Sequence, residues 1–180
     1  MQSTRAGDSA AALEYARRAY QLRPQTPWVL TTLFDLQVRA GQWDEAEKTL
    51  DEAIRRRAID AARGQRDKVL VLNERSRTAE AAGEPARALS FARKSLDLGR
   101  DFLPANLRVA RLLIADDSVR RATRVIEDAW RQGPHPDYLA LYREALAPEN
   151  ELTWLKEAQK LAEQNLGHPE TLLALAEAAL

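Results

Sequence analysis

G-Q-W-D-E-A-E-K-T-L-D-E-A (41–53) is the stretch on which the fold turns. It lines up with G-D-S-A-A-A-L-E-Y-A-R-R-A-Y-Q-L-R-P (7–24) at a spacing of 34 residues, so that Gly7 recurs as Gly41, Ala12 as Ala46 and Ala19 as Ala53. Two later stretches keep the same order, G-E-P-A-R-A-L-S-F-A-R-K-S (83–95) and D-S-V-R-R-A-T-R-V-I-E-D-A (117–129). Between them Gly83 recurs as Asp117, Ala88 as Ala122, Ala92 as Ile126 and Ser95 as Ala129. A turn residue with small residues five and twelve positions later describes a helix that begins at a tight turn and meets a neighbour closely along one face. Alanine at the contact lets two helix axes approach to about 8–10 Å, where a larger side chain would wedge them apart.

Working outward, residues 8–23 read as a helix with Ala12, Leu13, Ala16, Ala19, Tyr20 and Leu22 inward, stopped by Pro24. Thr26-Pro27 starts the next one, Thr as N-cap and Pro at the first helical position. It runs to about Ala40 and buries Leu30, Leu33, Phe34 and Val38; Gly41 makes the turn, and 43–57 forms its partner. Each pair therefore has a first helix, A, ending at the glycine and a second, B, beginning there. The step from Gly41 to Gly83 is 42, eight more than the period. The alignment places the extra residues in A-I-D-A-A-R-G-Q-R-D-K (58–68), as a longer A helix over about 60–82 that projects past its neighbours. P-H-P-D (134–137) and G-H-P-E (167–170) read as helix starts, Pro first and an acid next, complementing the helix dipole. Between them 150–165 is a further helix with Leu152, Leu155, Ala158 or Gln159 and Ala162 inward. The chain opens on a B helix without an A partner and closes on T-L-L-A-L-A-E-A-A-L (171–180), an apolar A helix without a B partner. A helix this apolar needs a neighbour, so the expectation is a piece of a longer protein, or ends covered by another subunit.

Composition narrows the function classes. Lys+Arg and Asp+Glu both number 27, so the formal net charge is zero; general affinity for nucleic acid or anionic membrane needs a basic excess. The cluster Arg55-Arg56-Arg57 reads as the solvated last turn of a helix. The absence of cysteine excludes disulfides, thiolate zinc sites and cysteine nucleophiles. No run of about 18 apolar residues exists, and the first residues do not read as a signal peptide. No Ser-His-Asp, paired-carboxylate or phosphate-loop constellation is visible, so the expectation is a protein that is not an enzyme.

The period of 34 with its turn glycine resembles the tetratricopeptide repeat. That resemblance implies an all-α, right-handed helical-repeat solenoid of antiparallel helix pairs. Here it would be one domain over 1–180 with about four to five pairs. Such walls of helices hold other molecules rather than transform them. Three segments also resemble the HemY family of proteobacterial inner-membrane proteins: R-R-R-A-I-D-A-A-R-G-Q-R-D-K-V-L-V-L-N-E-R (55–75), R-A-T-R-V-I-E-D-A-W-R-Q-G-P-H-P-D-Y-L-A-L-Y (121–142) and L-K-E-A-Q-K-L-A-E-Q-N-L-G-H-P-E-T-L-L-A-L-A-E-A-A-L (155–180). The HemY resemblance implies an N-terminal membrane anchor absent from this chain and a repeat domain on the cytoplasmic side of the inner membrane. It implies a role assisting late haem biosynthesis, with late haem-pathway enzymes as protein partners. It carries over no catalytic residue. The flavin-dependent oxidase that shares the name is excluded, since no G-x-G-x-x-G follows a strand.

In such a wall the A helices line the concave face. The inward-curving positions are Trp28, Thr31, Asp35 and Val38, then Leu70, Asn73, Arg77 and Glu80, then Leu107, Arg111 and Ile114. Arg77 and Arg111 stand 34 apart, and two guanidiniums on neighbouring helices could grip a carboxylate of a peptide or of a porphyrin propionate. The alternative is pairing within the chain, with Asp35, Glu80 or Glu74. The Lys/Asn pattern that clamps a chaperone tail is missing, Thr31 and Asp35 standing at its positions. Trp28 is either a binding anchor or packs against the helix end near Leu22 and Pro24. Trp43 and Trp130 read as core. His135 and His168 precede prolines at helix starts, where a cap or turn role suffices; axial ligation of haem is the other role open to them. No cofactor is expected, with haem or porphyrin as the alternative reading.

Overall fold

Two turns set the frame by the same device. Gly41 has φ of +68° and Asp117 has φ of +54°, both in the left-handed region. Around each, the next residue bonds back into the helix that has just ended: Gln42 N–H donates to the Gln37 carbonyl at 2.9 Å, and Ser118 N–H to the Leu113 carbonyl at 2.8 Å. This is the bonding that closes a helix C-terminus and frees the chain to reverse.

The computed structural model describes residues 2–179, with side chains from Ser9 onward. The chain divides into two compact units, Met1–Gly83 and Glu84–Leu180. The first holds α1 (Gln2–Leu22), α2 (Pro27–Arg39), α3 (Trp43–Arg55) and α4 (Ala61–Ala81). The second holds α5 (Pro85–Leu98), α6 (Leu103–Ala115), α7 (Val119–Gln132), α8 (Pro136–Leu146), α9 (Glu151–Ala162), a 3₁₀ turn (Glu163–Asn165) and α10 (Pro169–Ala178). No strand occurs among the described residues, and none of the described helices is long and apolar enough to cross a membrane. Gly7 lies inside α1 rather than at a turn: one glycine costs a helix about 1 kcal/mol and does not by itself end it.

In the first unit α3 packs between α2 and α4. Ala46 and Leu50 of α3 are wholly buried, with Phe34, Val71, Ile54 and Ile59 around them. The repeat's small positions are thus the close contacts that the alignment predicts. On the α4 side a Cβ at Gly64 would stand 2.7 Å from Ile54 Cγ1, so the approach of these two helices depends on glycine there. Arg75 pairs with Asp44 at 2.6 Å and with Glu47, and Lys68 pairs with Asp51, fixing α4 antiparallel to α3.

The long A helix of the alignment is α4. α2 and α4 begin 34 residues apart, at 27 and 61, but end 42 apart, at 39 and 81. α4 is therefore the longer of the two by eight residues. Its start is fixed by Asp60, whose carboxylate accepts Arg63 N–H at 2.8 Å as an N-cap. No proline interrupts 61–81, so the helix continues until the turn at Gly83, where φ is +75°.

In the second unit Ala88, Ala92, Ala122, Ile126 and Ala129 fill the small contacts, and Trp130 is fully buried beside Tyr138, Tyr142, Trp154 and Leu161. Trp130 is core as predicted, whereas Trp43 in the first unit is half-buried. α9 differs in rotation from the sequence expectation. Trp154, Ala158, Leu161 and Ala162 face inward, while Leu152 is 67% exposed. An indole buries far more apolar surface than a leucine, and Trp154, Ala158 and Leu161 at i, i+4 and i+7 set the face. Leu22, expected inward, is also exposed; it is the last residue of α1.

Candidate binding surfaces

Trp28, Thr31 and Asp35 follow one another at i, i+3 and i+7 on α2, opposite the buried Val29, Leu30 and Leu33. Trp28 is 64% exposed, so it does not pack away against Leu22 and Pro24. Its position is set by Thr26 and Pro27, though not by the expected side-chain cap. The Thr26 hydroxyl makes no capping bond; its carbonyl accepts Val29 N–H at 3.0 Å instead. Thr31 Oγ1 donates to the Trp28 carbonyl at 3.0 Å.

Asp35 has Arg63 as its ion-pair partner, at 3.7 Å, and Arg63 also meets Asp67 at 3.3 Å. Along α4, Arg63, Asp67, Leu70, Glu74 and Arg77 share a face by helical spacing. Leu70 is half exposed, and Arg77 stands 3.7 Å from Glu74. The structure thus joins the α2 and α4 faces through Asp35 and Arg63, and leaves Arg77 to its own helix. Asn73 is buried with its Oδ1 unpartnered.

In the second unit Leu107 is 8% exposed and belongs to the core cluster, so it does not line an open face. Arg111 is exposed on α6. His135 and His168 are helix caps: each Nδ1 accepts a backbone N–H, from Asp137 and Glu170 respectively, at 3.2 Å. Burial pushes the Tyr138 hydroxyl up to about 12. Burial, and then the carboxylate of Glu127 that accepts its hydrogen bond at 3.1 Å, raises Tyr142 as well. Among the described residues no group of three or more His, Asp or Glu is placed to hold a metal ion.

Sequence reasoning missed a second kind of surface, between B helices. In the first unit a groove of about 330 Å³ runs between α1 and α3 over α2, with Arg17, Tyr20, Gln37 and Lys48 among its lining. In the second a groove of about 300 Å³ runs between α5 and α7 over α6, with Arg93, Leu96, Leu113 and Arg124 in the matching places. All nine lining positions correspond at a constant spacing of 76 residues. The signal for it lies in the repeat alignment itself, at B-helix positions between the small contacts rather than on the A helices.

A tetratricopeptide repeat family profile matches residues 4–66. A curated protein, the probable magnetosome protein Mms48 of Magnetospirillum gryphiswaldense, is 29% identical over 150 residues, covering 81% of this chain and 32% of its own length. The chain thus spans about a third of that relative. Among solved structures YrrB, described as a TPR protein with an unusual peptide-binding site, matches with a TM-score of 0.55 at 17% identity, over 98% of this chain and 87% of that one. A thermophilic TPR protein of Thermus thermophilus matches more loosely, with a TM-score of 0.40 at 20% identity, over 99% and 94% of the two chains. The fold is that of tetratricopeptide repeats. The curated relative is a magnetosome protein and not a HemY protein, so the finer resemblance gains no support from it.

Proposed function

We propose that this chain is a non-catalytic adaptor that holds a peptide or protein partner on the A-helix face of its first unit. The observation that carries the reading is the exposed Trp28 beside the charged ribbon of Asp35, Arg63 and Asp67. An exposed indole supplies binding energy at little entropic cost, and the surrounding ion pairs supply direction. The likeness to YrrB, itself described as having a peptide-binding site, agrees with this reading.

The experiment is affinity capture with the chain immobilised, comparing wild type with Trp28→Ala and with Arg63→Ala, each first shown to keep its helical circular dichroism. Partners retained by wild type and weakened about thirtyfold or more by Trp28→Ala fit an anchor residue. Retention unchanged in both variants removes the A-helix face from consideration.

The HemY-like reading supplies a second candidate: an inner-membrane-anchored, cytoplasmic scaffold for late haem-pathway enzymes, or a porphyrin carrier. It rests on the three sequence segments and on the exposure of Arg77 and Arg111. Titration with haem and with metal-free porphyrin, followed by Soret absorbance, tests the carrier form. Saturable binding lost in Arg77→Ala or in Arg111→Ala, each tested singly, supports it, and no binding at micromolar concentration ends it.

A further inference from the structure

The groove of the second unit differs from its counterpart in both floor and rim. Its floor is apolar: Val109 and Leu113 are buried beneath it, and Leu96 and Val125 flank it half-buried. Its rim carries Arg93 on the α5 side and Arg121 and Arg124 on the α7 side. None of these three guanidiniums has a hydrogen-bond or ion-pair partner among the described residues. Of the two carboxylates in the groove, Asp128 is already engaged by Arg131 at 2.5 Å. An apolar slot under three unpaired cations calls for an occupant with an apolar side chain between carboxylates. A carboxylate accepts paired hydrogen bonds from a guanidinium, which a lysine-lined groove would not provide in the same geometry.

We propose that this groove docks a short acidic segment of a partner protein. One apolar side chain seats over Val109 and Leu113, and the flanking carboxylates lie on Arg93, Arg121 and Arg124. A volume of about 300 Å³ suits one bulky side chain with its flanking backbone. A nucleic-acid strand fits less well, because Asp97 and Asp128 line the same groove and would repel a continuous phosphate track. A bilayer surface fits less well too, because the apolar atoms lie at the bottom of a slot. The first unit's groove does not share the chemistry: Arg17 donates to Gln42 at 2.7 Å, and the floor carries Gln37 in place of Leu113. The inference is independent of the A-helix reading, and Trp28→Ala leaves it untouched.

The test is fluorescence anisotropy on the whole chain with a labelled peptide of sequence Glu-Glu-Leu-Phe-Glu-Glu, with Glu-Glu-Ser-Ser-Glu-Glu as control. Saturable binding that weakens with salt is expected. It should fall about tenfold or more for the serine control, and as much for Arg121→Glu/Arg124→Glu. Lys48→Glu, the matching change in the first unit, should leave it unchanged. Arg93→Gln, a milder change at an exposed site, tests the same contact should the double reversal unfold the unit. The proposal is overturned by absence of saturable binding, or by affinity that ignores both Arg121→Glu/Arg124→Glu and Arg93→Gln. It is overturned equally if a 20-mer single-stranded DNA or phosphatidylserine vesicles displace the labelled peptide better than the unlabelled peptide does.

Discussion

The two units build one groove from the same nine repeat positions and give it opposite chemistry. Where the first has Tyr20, Gln37 and Thr49, the second has Leu96, Leu113 and Val125. The first unit also neutralises itself. Tyr20 donates to Glu52 at 2.8 Å and Arg56 pairs with the same carboxylate at 2.6 Å. The Tyr20 hydrogen bond and then Arg56 hold Glu52 below the usual carboxylate range. The second leaves the groove residues Arg93, Arg121 and Arg124 without a partner among the described residues. The difference teaches that a helical repeat keeps its spacing for packing and frees the positions between for recognition. What must match between the units is the small-residue contact; what can vary is the groove above it.

The largest effect should come from breaking what the units share. Ala46 and Ala122 are equivalent and both wholly buried. Ala46→Arg or Ala122→Arg forces a long cation into a helix contact, combining overpacking with an unpaired buried charge, and should destabilise by about 3 kcal/mol or more. Chemical denaturation followed by circular dichroism measures it. An unchanged midpoint in either variant would mean that the repeat register is wrong in that unit.

A smaller effect tests what the units do not share. Gln37 is 4% exposed and its Oε1 has no partner, whereas Leu113 at the same place is 1% exposed. Exchanging them should be asymmetric. Gln37→Leu removes an unsatisfied buried amide and should stabilise the first unit by about 1–3 kcal/mol. Leu113→Gln loses apolar burial and adds an unsatisfied amide, costing about 2–4 kcal/mol. Destabilisation by Gln37→Leu would show instead that the amide is satisfied in solution, and that the first groove holds a bound molecule or water.

These residues also mark how far the sequence could be read. The turn at Gly41, the alanines at 46, 53, 88 and 122, and the prolines at 27, 136 and 169 act locally, through backbone torsions and contact distance, and so were legible. The pairing of Asp35 was not. It depends on how the start of α4 is set against its neighbour, by the cap at Asp60 and the Gly64–Ile54 contact. Arg63 meets Asp35, while Arg77 takes Glu74, one of the three carboxylates open to it. Leu107 was misread as groove-facing for a related reason: it is covered by later helices whose packing departs from the period, and periodicity carries no information there.

The smallest effect concerns the turn itself, where the two units solve one torsional problem with different residues. Gly41 and Asp117 both sit at positive φ, +68° and +54°. An L-residue there brings its Cβ against the following carbonyl, at a cost of roughly 1–2 kcal/mol that short polar side chains offset in part by bonding locally. The Asp117 carboxylate makes no hydrogen bond or ion pair among the described residues, so little offsets the strain. Asp117→Gly should therefore stabilise the second unit, by about 0.5 kcal/mol once the greater freedom of glycine in the unfolded chain is subtracted. Gly41→Ala should do the reverse, costing about 1 kcal/mol. The nearest atom to a Cβ at position 41 is Trp43 Nε1 at 3.9 Å, so the space is open and the cost is torsional alone. Equal and opposite shifts in the two midpoints would show that the turns are interchangeable parts. A stability loss in Asp117→Gly would show that the carboxylate holds the second turn through a contact with water or with a partner.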